Sequence, residues 1–459
     1  MINIKSFCLI TTLASSSLFA QGIVPNQLIF PVENAIKNSY ELQNKQLEIN
    51  KNKAQYSEVK GKQQPNVETE ALAGYLYSLG SVNVPTQHLN LINKDLFKDT
   101  KDLNLSAAFA TVGVTASQVI YAGLQIKNSL KALDEKNNAY ELLLKAGEEE
   151  VAKDVLTTFD QIMLLNEVEK LIDNSSKRLE KEQQKVQKAI ELGLAIPFDR
   201  EKIKLALLEL ESKQLEVNSS RKLLYEKLQM LTHLPINELE TVLYDLQPIH
   251  LLTDEFNLDN KPELKALHHS TKAYEFLFQK EKGDALPKVF AFAKSNYASL
   301  FATRLRMDSE LLNNLNLGIN NLTLFPNVMV GIGAKWEIFN GHQHKYKLEQ
   351  AKADILISEN KYKDAEQKLN LLLSKNKIDY ETANKKLKVN EQQDKIAKSN
   401  MEIATKRFQV GLIDITDYLA TENDYFKANL GYYSQILDQR SKTYDILHTS
   451  GELLNRIKN

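Results

Sequence analysis

The chain has 459 residues, with 58 Lys+Arg against 59 Asp+Glu and a formal charge of -1. That balance offers no bulk attraction to nucleic acid or to anionic membrane surfaces. Only 16 Gly and 10 Pro are present, roughly half the usual share of each, so turns are few and elements are long. Past the N-terminus no run approaches the ~18–20 apolar residues of a spanning helix, which excludes a multi-helix membrane protein. The same composition excludes collagen-like, low-complexity and disulfide-scaffold chains.

Residues 1–20 read as an export signal. Lys5 supplies a positive charge, residues 7–19 are apolar or small, and Ala20 is a cleavage site before Gln21. The only cysteine, Cys8, lies inside this leader, too early for a lipoprotein site. The exported chain then has no cysteine and builds neither disulfides nor thiolate metal sites.

Residues 21–240 and 241–459 read as two copies of one plan. Ile120-Tyr121-Ala122-Gly123-Leu124-Gln125-Ile126-Lys127 matches Ile338-Phe339-Asn340-Gly341-His342-Gln343-His344-Lys345, and the glycines are 218 residues apart. Gly193-Leu194, followed by Asp199, matches Gly411-Leu412, followed by Asp417, again 218 apart. Upstream, Pro65 and Pro287 occupy like places, 222 apart.

In chain order, the first copy predicts a helix over 31–60 closed by Pro65, strands over 67–77 and 105–121, a very long helix over 124–192, and a returning helix over 199–231. Residues 233–261 link the copies. The second copy repeats the plan with a helix over 262–282, strands over 288–297 and 327–339, a long helix over 342–410 and a return over 417–454. The last strand alternates with a period of two: Val328, Val330, Ile332, Ala334, Trp336 and Ile338 share one face, about the length of a membrane β-strand. Trp336, the only tryptophan, stands near one end, where an interfacial girdle would hold it. A soluble hairpin fits that alternation equally well.

The long helices carry narrow apolar stripes. Tyr362, Leu369, Leu373, Tyr380 and Leu387 follow steps of seven and four, as do Leu179, Val186 and Ile190, a spacing suited to coiled-coil-like packing. About 70 helical residues span roughly 100 Å. Each return covers about half that length, and the first helix of its copy makes up the rest.

Chemistry-bearing motifs are sparse. His268-His269 and His342-x-His344 lack acidic or thiolate partners at ligand spacing. Neither a phosphate-binding Gly loop nor a nucleophile elbow occurs. The reading is therefore not an enzyme, with no catalytic residue, no cofactor and no metal.

The duplicated order resembles the TolC-like outer-membrane efflux proteins over essentially the whole exported chain. The most specific parts are the turn at residues 408–417, its partner at 193–199, and the Gly-x-Gln-x-Lys start of each long helix. The resemblance implies a mainly α fold with membrane β: a duplicated strand pair plus long coiled-coil-like helices. It implies a homotrimer forming a 12-stranded outer-membrane β-barrel continued by a periplasmic α-helical barrel, with outer loops at residues 78–101 and 300–326 and a collar at 233–261. It also implies a passive exit duct, bound by outer-membrane lipid, docked to a periplasmic adaptor (membrane fusion) protein and to an inner-membrane pump of RND or ABC type. No nucleic acid is involved.

Under that resemblance Gly193, Leu194, Gly411 and Leu412 form the tip that contacts the adaptor. Asp199 and Asp417 line the periplasmic gate, with N-capping of helices as the alternative role, and Trp336 marks the membrane interface. Ile413 stands where an arginine can brace the closed state, and Ala420 where a second acid can sit, so the resemblance implies a less charged lock and a more apolar constriction. The reading from another class is a periplasmic coiled-coil scaffold or adaptor-like binding protein without channel activity.

Overall fold

Ser39 interrupts the first helical stretch. Its backbone turns extended, ψ 118°, so the expected single helix is two, α1 (Ile29–Asn38) and α2 (Tyr40–Gly61). Pro31 sits in the first turn of α1, where a missing N–H costs no intrahelical bond. The structure, a computed structural model, describes residues 24–83, 88–95, 100–251, 255–307 and 315–458. The expected leader, with Cys8, lies outside the described residues.

After α2 come strands β1 (Asn66–Asn83) and β2 (Thr100–Ala122), the long helix α3 (Gln125–Glu191), its return α4 (Pro197–Thr232) and a single turn, α5 (Ile236–Leu239). Helix α6 (Pro262–Asp284) opens the second half. It is followed by β3 (Lys288–Met307), β4 (Leu315–Lys335), α7 (Gln343–Gln409), α8 (Ile415–Ser450) and a short α9 (Leu453–Lys458). The helices α3 and α7 are both 67 residues long, and α4 and α8 are both 36. Helices α7 and α8 start 218 residues after α3 and α4.

The strands form one antiparallel sheet in the order β1-β2-β3-β4. Its rows sort residues by face. Val67–Ala116–Ala293–Val330 and Thr69–Val114–Ser295–Val328 run across one side. Glu68–Thr115–Lys294–Met329 and Glu70–Gly113–Asn296–Asn327 run across the other. At this end of the sheet one face is thus largely apolar and the other polar; farther along, Gly74–Phe109–Leu300–Leu322 puts large apolar residues on the second face. On the polar face the rings of Phe290 and Phe292 lie over Gly333 and Gly331, where a Cβ would collide with them.

Two expectations change here. The strands are 18 to 23 residues long, so they run well into the stretches expected as loops at 78–101 and 300–326. Toward these ends the strands still alternate: Asn104, Arg306 and Asn316 share one row, and Leu105, Leu305 and Leu317 the next. Conversely, β4 stops at Lys335. Trp336 lies just beyond it, exposed, its indole N–H donating to the carbonyl of Ala285 at 3.0 Å.

The chain divides into two compact units. One holds the sheet, with residues 48–139 and 267–361. The other is helical, with residues 24–47, 140–266 and 362–458 among those described. The helical unit has two cores. The first gathers Leu28 just before α1, Val32 of α1, Leu156, Phe159 and Ile162 of α3, Leu228 of α4, Tyr444 and Leu447 of α8, and Leu453 of α9. The linker expected as a collar packs into it through Leu239, Leu246, Ile249 and Phe256. The second core gathers Leu171, Leu179 and Val186 of α3, Ile203, Leu210 and Val217 of α4, Met401 of α7, and Ile415, Tyr418 and Phe426 of α8. The stripe residues Leu179, Val186, Leu373 and Leu387 are buried as their spacing predicts.

Candidate functional site

The two Gly-Leu turns end their long helices in one geometry. Gly193 and Gly411 have φ of 73° and 75°, a region open to glycine at no steric cost. The N–H of Leu194 reaches back to the carbonyl of Ala189 at 2.8 Å, and that of Leu412 to Arg407 at 2.9 Å, the six-to-one bond of a Schellman ending. A Cβ at either glycine would meet nothing, so the backbone angle, not crowding, requires glycine. Around these turns Leu192, Leu194, Ile196, Phe198, Val410 and Leu412 are exposed. Six large apolar side chains left in solvent at two adjoining helix ends make a surface with something to gain from a partner.

Asp199 and Asp417 both stand at the third position of their helices rather than at the cap. The Asp199 carboxylate accepts from the N–H of Ile196 at 3.4 Å, a partial cap. The start of α8 is capped by Asp414, whose carboxylate accepts from the N–H of Asp417 at 2.9 Å. That hydrogen bond holds the Asp414 carboxyl below its ordinary pKa. Sequence reasoning passed over Asp414, although Asp one step before a helical run is a standard capping signal.

Asp417 lines a cleft of about 420 Å³ between α7 and α8 with Arg407, Asp424, Thr421, Asn400 and Ile413. Ile413 also packs against the second core, consistent with an apolar constriction. Arg407, one turn before Gly411, adds a cation to this cleft that the motif comparison missed. Asp199 is not among the cleft's lining residues. The helix starts that carry the two aspartates are linked instead by Lys202, whose ammonium donates to the Thr416 hydroxyl at 2.8 Å.

Nearby, a charged pair that no turn motif contains joins α3 to α8. Arg178 of α3 grips Glu422 of α8 with two hydrogen bonds, Nε to Oε2 at 3.0 Å and Nη2 to Oε1 at 2.6 Å. Burial opposes the guanidinium's charge, but the bonds and charge of Glu422 outweigh it and raise its pKa. Beside the pair, Tyr418 stacks on Phe408 at 4.9 Å. Among the described residues, the hydroxyl of Tyr418 and Oε2 of the buried Glu182 have no hydrogen-bond partner.

The histidines do other work. His269 contacts Glu135 at 2.6 Å, and among the described residues no group of three or more His, Cys, Asp or Glu is arranged to hold a metal.

Residues 257–441 match the family model described as outer membrane efflux protein. This stretch is similar to outer membrane efflux proteins. It takes in Gly411, Leu412, Asp417 and Glu422, while the first Gly-Leu turn lies before it. The fold is that of known outer-membrane channels. The outer-membrane channel OprN superposes with a TM-score of 0.71 at 14% identity, covering 94% of this chain and 91% of that one. The Campylobacter jejuni CmeC outer membrane channel gives 0.68 at 14%, covering 93% and 86%. The outer membrane protein VceC from Vibrio cholerae gives 0.68 at 14%, covering 93% and 96%. No curated protein matches the chain by sequence. Of these structures, OprN and CmeC are outer-membrane channels.

Proposed function

We propose that the chain is the outer-membrane exit duct of a tripartite efflux or secretion system: a passive trimeric channel with a periplasmic helical extension, docked to a periplasmic adaptor and an inner-membrane pump. The observation that carries this reading is the sheet. It exposes Val328, Val330 and Ile332 on one face, each more than 70% accessible, and polar rows on the other. A soluble scaffold gains nothing from such a face, whereas a barrel wall needs it toward lipid. A lipid-facing sheet must also close on itself, since unpaired strand edges are not tolerated in hydrocarbon. Three copies of four strands make the twelve-stranded barrel.

The helices support the same assembly. Val389, Ile396 and Ile403 of α7, with Val410 just past it, are exposed at steps of seven; Leu208, Leu215 and Leu223 of α4 are exposed at steps of seven and eight. Such stripes are seams awaiting partner helices, and head-to-tail contact between unlike stripes closes a ring. In this reading the exposed Gly193-Leu194 and Gly411-Leu412 turns meet the adaptor, Asp199 and Asp417 repeat threefold at the gate, and Trp336 lies at the membrane interface. The test is cell fractionation with sizing in detergent. A heat-modifiable outer-membrane trimer is expected; a soluble monomer overturns the duct in favour of a periplasmic scaffold.

A further inference from the structure

The sheet unit contains one contact between its two halves that has no counterpart at its other side. At the start of α3, Gly123 adopts φ 61° and packs backbone to backbone on Gly283 at the end of α6. A Cβ on either glycine would lie 2.1 or 2.0 Å from the other's carbonyl oxygen. Next to this contact, Gln125 Nε2 donates to Asp284 Oδ1 at 2.7 Å. The equivalent positions in the other copies are Gly341, 218 residues after Gly123, and Gly61, 222 before Gly283. Gly341 has φ 66°, nearly the same backbone, yet a Cβ on Gly341 or on Gly61 would meet nothing within 4 Å. Two halves of a close contact are present in one chain without meeting.

The sheet has the same asymmetry. Strand β2 pairs with β3, but β4 and β1 are edges. The offsets can be checked inside the chain, because they carry the β1–β2 pair Asn66↔Ser117 onto Lys288↔Lys335, which is an observed β3–β4 pair. Applied to the β2–β3 pair Ser117↔Phe292, they set Lys335 opposite Glu70.

Resting on the trimeric reading above, we propose that each copy of this chain joins the next in one fixed register. Lys335 lies opposite Glu70 of the next copy, and Gln343 beside its Lys62. Three features that the offsets do not contain agree with this register. Lys335 and Glu70 are opposite charges, and opposite charges directly across a ladder stabilise while like charges do not. Both lie on the polar face, with Gly331 and Glu68 respectively, so the faces match; a slip of one residue would set Lys335 against the apolar side. On the apolar face the register brings Ala334, Ile332, Val330 and Val328 opposite Ala71, Ala73, Tyr75 and Tyr77. At the junction, Lys62 stands where Asp284 stands in the internal contact, and a glutamine amide serves either, donating to a carboxylate or accepting from an ammonium. Glu70, Lys335, Lys62 and Gln343 are all exposed in the single chain.

Cysteine pairs test this in the full chain, whose only native cysteine is Cys8. Lys335→Cys with Glu70→Cys, and separately Lys62→Cys with Gln343→Cys, should convert monomer bands to dimer and trimer bands on denaturing gels after oxidation. No single variant should do so. Lys335→Glu should lower the temperature at which the detergent trimer dissociates, and adding Glu70→Lys should restore it. A trimer that cross-links through Lys335→Cys with Leu72→Cys instead, or that the charge swap does not restore, overturns the seam and leaves the duct standing. A wild-type monomer in detergent overturns both.

Discussion

The helical unit joins α3 to α8 twice, and the two joints differ in how well they are satisfied. In the first core Arg440 and Asp160 are almost wholly buried, with side chains 4% and 1% exposed. Each guanidinium nitrogen has a partner: Arg440 Nε donates to Asp160 Oδ2 at 2.7 Å, Nη1 to the carbonyl of Gln247 at 2.9 Å, and Nη2 to the Tyr444 hydroxyl at 2.9 Å. Both Tyr244 and Tyr444 donate to the same carboxylate. In the second core Arg178 remains 29% exposed, and the neighbouring Tyr418 hydroxyl and Glu182 Oε2 find no partner among the described residues. A closed polar network fixes one arrangement; a half-wet pair beside unpaired groups leaves less to lose on moving. The first joint is dry, and the turns with Gly193 and Gly411 adjoin the second, which water reaches.

The largest expected effect tests the dry joint. Arg440→Ala strands the Asp160 carboxylate in a dry core and should cost roughly 3–5 kcal/mol, read as a fall in the denaturation midpoint. A loss no larger than that of an exposed arginine would break the comparison.

Next comes a flaw within the first level. Glu149 is buried, its Oε2 has no partner, and burial, with Glu263 adding to it against Lys261, pushes its carboxyl up to about 7. A folded-state pKa above the unfolded value means this group's stability is fully present below about 4.5 and is lost as pH rises through about 7. Glu149→Gln should therefore match wild type at pH 4 and exceed it at pH 8 by up to roughly 3 kcal/mol. Parallel melting curves at both pH values would contradict the assignment.

Arg178→Ala should cost less than Arg440→Ala, roughly 1–3 kcal/mol, because water reaches the pair. It should also raise channel conductance by freeing α8 from α3, an effect Arg440→Ala does not share in the folded fraction. Smallest is the contrast between the helix starts. Asp414→Ala removes a true cap and should cost about 1 kcal/mol, whereas Asp199→Ala should cost a few tenths. Equal losses would show that the two turns are built alike.

Much of this architecture is legible in the sequence. The 218-residue offset, found from two short motifs, recurs in the boundaries of α3 and α7 and of α4 and α8, because a helix end needs a glycine at positive φ and leaves it in plain view. The strand ends are hidden by a change of face: the apolar residues pass from the side of Val114 and Val330 to the side of Leu105 and Leu317. Nor are the joints: Asp160 and Arg440 lie 280 residues apart, and Arg178 and Glu422 lie 244 apart, with no local pattern linking either pair. The turn motifs point to Asp199 and Asp417 and pass over Asp414, a local cap, and Arg407 and Glu422, whose roles come from what other helices bring beside them.

The most direct test of the duct is single-channel recording of the purified, detergent-extracted protein in planar bilayers. The account predicts small, stepwise, cation-preferring conductance that loses its preference when Asp199→Ala and Asp417→Ala are combined. A correctly sized trimer that leaves the bilayer silent would contradict it.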